Sequence, residues 1–356
     1  MLTRADLDQL SSYVPGRSKP GFIKLASNEV PYGPLPGVVE AITEAAATSH
    51  LYPDLAALTL RDDLARRLGV DPARVTTGCG SVALAEHLAK ATCRDGDEIL
   101  YAWRSFEAYP IIAATGGATS IRVPNTAAHE HDLPAMLAAL TERTRLVFVC
   151  NPNNPTGTAV RTAELDTFLD GVPENVLVVL DEAYREFVVD PDVPDGLVRY
   201  GDRPNVAVLR TLSKAWGLAG MRVGYLVAQP AVADAVRKVT TPFSTSVVAQ
   251  AAAVAALRAE DEMTRRAALV VAERDRVQAA LGKLFDGVPA SQANFVWLPL
   301  GEQAVAFAAA CEEAGVIVRP FPGDGVRISI GTAEENDALL AAVETYLKTE
   351  LAGPLP

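Results

Sequence analysis

Seven short β-branched runs recur through the middle of the chain: RVTTGC (74–79), EILYA (98–102), TSIRVP (119–124), RLVFVC (145–150), VLVVLDEA (176–183), VAVLRTL (206–212) and RVGYLVA (222–228). Several are apolar almost throughout, as strands covered on both faces must be. Segments of helical composition, SVALAEHLAKAT and AMLAALTE among them, separate most of the runs. Alternation of this kind builds a mostly parallel sheet in an α/β fold. One link departs from the pattern, because only about nine residues join VAVLRTL to RVGYLVA, fewer than the dozen or so that a parallel crossover takes. Those two strands are expected either to run antiparallel or not to be neighbours.

After Gln250 the texture changes. A long alanine- and arginine-rich stretch (251–284) leads to three strand candidates, FVWLPL, VIVRPF and VRISIG, which predicts a second, smaller α+β domain. The N-terminal forty or so residues hold five prolines and little periodicity, and are expected to wrap between the domains. The expected division is a segment 1–45 joining the small domain, a large domain 46–255 and a small domain 256–356. A chain of 356 residues is long enough for both cores.

Charge and cysteine usage narrow the class of function. With 32 basic against 44 acidic side chains the net charge is −12, which repels a phosphate backbone over most of the surface and argues against nucleic acid. Asp6 and Asp8 stand where a secretory signal needs an apolar core, and no segment supplies the 18 or so apolar residues of a membrane span. The expected location is cytoplasmic. Cys79, Cys93, Cys150 and Cys311 form no C-x-x-C pair, which suits reduced thiols. Cys150 ends an apolar run and reads as a small core residue rather than a nucleophile. His129 and His131 flank an acidic loop without a further ligand cluster, and no metal is expected there.

Polar residues gather where the apolar runs end: GCGS (78–81), Phe106 in WRSFEAYP, NPNNPTG (151–157), DEAY (181–184), Ser213-Lys214 and Arg222. Functional groups of such sheets collect at the carboxyl ends of parallel strands. Singly, each has a plain structural explanation. NPNNPTG suits a turn, Asp181 a helix N-cap, GCGS a tight turn, and an average lysine is a solvated surface group.

In this order and spacing the set resembles the fold-type I pyridoxal-phosphate aminotransferases of the histidinol-phosphate aminotransferase-like branch. The resemblance runs from LASNEVPYGP and LYPD near the start to VRISIGT near the end. GCGSV, WRSFEAYP and VRPFPGDGVR look most like the actinobacterial aromatic amino acid, or phenylalanine, aminotransferases. The fold it implies is α/β, with a mostly parallel seven-stranded sheet containing one antiparallel strand and a smaller α+β domain.

The resemblance also implies roles. Lys214 would form the Schiff base with pyridoxal 5'-phosphate and, once displaced, act as general base. Asp181 would hold the proton on the cofactor's ring nitrogen, Asn154 and Tyr184 would bond its 3-oxygen, and Phe106 would lie on the ring face. Gly80 and Ser81 open a helix whose amide groups and dipole attract the phosphate, joined by Ser213 and Arg222. Tyr52 would reach the phosphate of a neighbouring subunit in a homodimer. Arg327 would grip the substrate carboxylate, with Asn28 and Tyr32 bordering the substrate.

The implied reaction is transamination between phenylalanine or tyrosine, and also tryptophan, and 2-oxoglutarate. Histidinol-phosphate transamination, or decarboxylation of a phosphorylated amino acid, is the alternative within the cofactor class, and either would need a second anion pocket. Arg319 is the only obvious spare cation near Arg327, and Asp324 lies between them. A ligand-sensing regulator of a DNA-binding partner would want a helix-turn-helix and a basic surface, and neither is evident.

Overall fold

The computed structural model describes residues 10, 12, 14 and 16–351; the opening stretch with Asp6 and Asp8 lies outside them. Among the described residues eleven strands form two sheets. They are β1 (Ile23–Leu25), β2 (Val75–Cys79), β3 (Glu98–Trp103), β4 (Thr119–Pro124), β5 (Thr144–Cys150), β6 (Leu177–Asp181), β7 (Val206–Thr211), β8 (Val223–Val227), β9 (Phe295–Leu298), β10 (Val316–Phe321) and β11 (Gly325–Ser329).

The large sheet has the order β2-β8-β7-β6-β5-β3-β4. Strands β3 to β7 pair in parallel, and β8 runs antiparallel to both β2 and β7. The short link between β7 and β8 is therefore a turn-back between direct neighbours. Successive residues of the central strands enter opposite cores. Leu146 and Phe148 of β5 join one apolar cluster, while Val147 and Val149 join the other. Both faces are apolar because helices cover both, which explains the absence of alternation in these strands.

The small sheet has the order β1-β10-β11-β9. Its first strand comes from the N-terminal segment, where Ile23, Lys24 and Leu25 pair in parallel with Val316, Ile317 and Val318. Three residues are too few to carry a period-two signal, so the sequence reading of this segment missed the strand. The helix Val38–Ala46 packs on Val247–Arg258, and the long helix Glu260–Leu281 leads into β9. Among the described residues no helix is long and apolar enough to cross a membrane.

The carboxyl ends of β3, β5, β6 and β7 open on one edge of the large sheet. Antiparallel pairing brings the start of β8 to the same edge, with Gly224 opposite Thr211 and Val223 opposite Cys79. Arg222, Gly80 and Ser213 are thereby drawn together from three separate stretches of sequence.

Candidate active site

A cavity of about 460 Å³ lies at that edge, between the large sheet and the small-sheet hairpin. Asn28, Ser81, Phe106, Asn154, Asp181, Tyr184, Ser213, Lys214, Arg222, Arg319 and Arg327, all singled out from sequence, line it. Gly80 does not line the cavity but abuts it. Tyr32 and Tyr52 do not reach it. The Tyr32 ring faces Arg266 of the long helix, 5.7 Å from its guanidinium carbon, and Tyr52 is 82% exposed and stacks on Phe243 at 4.6 Å.

Asp181 ends β6, where the strand delivers its carboxylate to the cavity floor. It caps no helix, since only a short 3-10 turn at Arg185–Phe187 follows. The Tyr109 hydroxyl donates to Asp181 Oδ2 at 2.8 Å, whereas Oδ1 is buried with no hydrogen-bond partner among the described residues. Burial pushes the carboxyl up to about 6, although the Tyr109 bond pulls the other way. Tyr109 is fully buried between Phe106, in edge contact at 5.6 Å, and Phe148, stacked at 4.6 Å. Sequence reading missed it, because a tyrosine at the start of an apolar helix looks like core; its nearness to Phe106 in WRSFEAYP was the one available signal.

Lys214 follows β7 and the buried Ser213. Its Nζ donates to the Ser27 carbonyl at 3.3 Å and lies 5.7 Å from the Tyr184 ring centroid. Burial, reinforced by the Arg327 guanidinium, lowers its amine to about 7. Tyr184 is held well above the usual phenol range by burial, and its oxygen accepts from Asn28 Nδ2 at 2.9 Å, which leaves its own proton to donate. Asn28 adopts the left-handed conformation (φ 56) and is anchored through Ser329, whose hydroxyl accepts from its backbone amide at 2.8 Å.

The loop 151–157 is more than a turn, because its asparagines bind it inward. Asn151 and Val160 exchange two hydrogen bonds, and Asn153 accepts from Ser105 at 2.7 Å. Asn154 Oδ1 accepts from Arg327 Nη1 at 2.5 Å, so its amide NH₂ is the donor on the other side. Arg327 Nη2 also donates to the Ala26 carbonyl at 2.9 Å, and the guanidinium sits among Phe295 and Phe321.

At the opposite end, the helix Gly80–Thr92 points its N-terminus toward Ser213 and Arg222. Arg222, itself left-handed (φ 55), donates to Ser213 Oγ at 3.1 Å. Two glycines permit this closeness. A Cβ on Gly80 would collide with the Arg222 guanidinium, and one on Gly224 with the Ser81 amide nitrogen. Helix amides, a hydroxyl and a guanidinium converging in this way make an anion site. Arg319, proposed from sequence as a spare cation, is ion-paired with Glu107 at 2.9 Å. Among the described residues no group of three or more His, Cys, Asp or Glu side chains is placed to hold a metal ion.

Residues 20–343 match the family model described as aminotransferase class I and II. The chain is 58% identical over 351 residues to an aromatic amino acid aminotransferase of Thermobifida fusca, covering 97% of each chain. It is 56% identical over 349 residues to the protein of that name from Streptomyces coelicolor, again covering 97% of each. Among solved structures it is similar to a histidinol-phosphate aminotransferase from Sinorhizobium meliloti in complex with pyridoxal-5'-phosphate. That likeness has a TM-score of 0.87 at 29% identity, with 98% of each chain covered.

Proposed function

The chain belongs to the class I and II aminotransferases, and from that membership we propose that it moves the amino group between phenylalanine or tyrosine, and also tryptophan, and 2-oxoglutarate, with pyridoxal 5'-phosphate as cofactor. Relatives sharing more than half of its residues over nearly its whole length carry the name of that activity. The observation that carries the chemistry is the convergence of Lys214, Asp181, Arg222 and Arg327 on one cavity. Two features support the fit of the cofactor: the orphaned Asp181 Oδ1, which wants a donor such as a protonated ring nitrogen, and the glycine-lined anion site at the other end.

When bound, the cofactor supplies an electron-withdrawing ring that stabilises negative charge at the substrate α-carbon. Asp181 would hold the proton at the ring nitrogen, and Tyr109 orients Asp181 through its hydrogen bond. Tyr184 and Asn154 would donate to the 3-oxygen, and Phe106 would pack on the ring. Ser81, Ser213, Arg222 and the helix amides opened by Gly80 would hold the phosphate. Lys214, whose amine is lowered to about 7 and so carries a substantial neutral fraction near pH 7, would be the covalent anchor and then the group that moves the α-proton. Arg327 takes the α-carboxylate in a bidentate grip, next to Asn28.

Tyr52 is proposed to complete the phosphate site of a partner subunit. Leu51 and Leu55 are exposed beside it, an apolar patch of the kind that marks an interface. The functional domains are then 46–255 for the cofactor and 256–356 with segment 1–45 for closure over the substrate. Four unbonded cysteines suit the reducing cytoplasm.

Half-reactions with a panel of amino donors, followed by cofactor absorbance, test the reading. Phenylalanine and tyrosine should show kcat/KM above that for histidinol phosphate; the reverse order would move the protein to the alternative substrate.

A further inference from the structure

Lys214 sits in a loop that closes on itself. The Leu218 amide donates to the Leu212 carbonyl at 2.9 Å and the Gly217 amide to the Lys214 carbonyl at 2.8 Å, with Gly217 left-handed (φ 68). The amine itself is held more loosely. Among the described residues Nζ makes one hydrogen bond, to the neutral Ser27 carbonyl at 3.3 Å. A lysine stem is long and flexible, so its direction must come from the loop that carries it. Between Lys214 and Gly217 that loop plants Trp216, a side chain only 2% exposed.

Trp216 is fixed by more than packing. Its indole Nε1 donates to Glu186 Oε1 at 2.9 Å, and the Arg67 guanidinium carbon stands 4.8 Å from its ring centroid. Arg67 has a counter-ion of its own in Glu260. Glu186 lies in the 3-10 turn Arg185–Phe187, which directly follows Tyr184. The lysine loop and this segment therefore meet twice: inside the cavity, where Lys214 Nζ lies 5.7 Å from the Tyr184 ring centroid, and outside its lining, where Trp216 meets Glu186.

We infer that Trp216 and Glu186 are positioning residues for Lys214: their hydrogen bond ties the lysine loop to the turn behind Tyr184 and so aims the amine into the cavity. The inference rests on the proposed covalent role of Lys214 and deepens it. A phenylalanine would serve packing alone. An N–H aimed at a carboxylate adds a direction, and in a buried setting such a bond is among the stronger ones. Neither residue lines the cavity, so both act through the backbone on either side of it. A reacting group held in place by its surroundings reacts faster, and small misplacements are costly in rate.

Covalent capture of pyridoxal 5'-phosphate by the cofactor-free protein tests this, because there the Lys214 amine condenses with the aldehyde carbon and one water leaves. The rate is read by absorbance. In parallel, equilibrium dialysis gives the dissociation constant of pyridoxamine 5'-phosphate, which has no aldehyde to capture. Trp216→Phe and Glu186→Ala should each slow capture about tenfold while that dissociation constant stays within about threefold of wild type. Glu186→Gln, whose amide oxygen still accepts from the indole, should hold the wild-type rate. The double variant W216F/E186A should be no slower than the slower single variant, as two halves of one contact require. Glu186→Ala is read alone if Trp216→Phe does not fold. Capture within about threefold of wild type in these single variants, a double variant that multiplies the two losses, or a loss of pyridoxamine 5'-phosphate affinity as large as the loss of rate would overturn the inference. A wild type that yields no borohydride-reducible adduct at Lys214 would instead overturn the covalent role, and the inference with it.

Discussion

Lys214 and Asp181 face the same cavity and are each pushed toward the neutral form, the amine down to about 7 and the carboxyl up to about 6. An amine attacks a carbonyl only when deprotonated. With its value lowered, the reactive fraction fills as pH rises through 7 rather than through the ordinary lysine range. Cofactor loading of the cofactor-free protein, followed by absorbance, should therefore accelerate from pH 6 to 8 and then level; acceleration continuing to pH 10 would mean that the amine is solvated. Tyr109→Phe removes the side-chain donor that Asp181 has among the described residues. That change should cost about 1–3 kcal/mol in urea unfolding, and should raise the Asp181 value further, moving the acid limb of kcat to higher pH. An unchanged limb would mean that Tyr109 only packs. Asp181 and Lys214 were legible because each ends an apolar run where a polar group needs a reason. Tyr109 and Glu107 were hidden, since nothing local separates a core tyrosine from a positioning one, or a surface glutamate from one that meets a hairpin far away in sequence.

At the level of elements, β8 sets the geometry of the anion site. It runs against the sheet direction, brings Arg222 to the working edge, and lies so close to the helix Gly80–Thr92 that Gly224 has no room for a side chain. Gly224→Ala should push strand and helix apart, raising the cofactor dissociation constant about tenfold or more while the circular dichroism spectrum is kept, because the backbone contact rather than the fold is lost. Tight cofactor binding in this variant would show that the contact is not needed. The seven large-sheet strands were readable because burial on both faces leaves continuous apolar runs, and the turn-back at β8 because its link is short. β1 was not, since a three-residue strand takes its identity from its partner β10 rather than from its own pattern.

For the whole molecule, Leu51, Tyr52, Leu55 and Phe243 are exposed, and they are where the proposed homodimer would meet. Analytical ultracentrifugation should give a species of twice the 37.7 kDa chain mass, and Tyr52→Ala should weaken phosphate retention in the dimer; a fully active monomer would contradict this. The pairing of β1 with β10 has a consequence in time. During synthesis Ile23 emerges long before Val316 exists, so β1 has no neighbour to pair with until β10 is made. Ser27 and Asn28 wait with it, and Arg327 is made later still. A nascent chain halted before β10 lacks the partner of β1 and two of the arginines that line the cavity, so the pocket is complete only once β11 has been made.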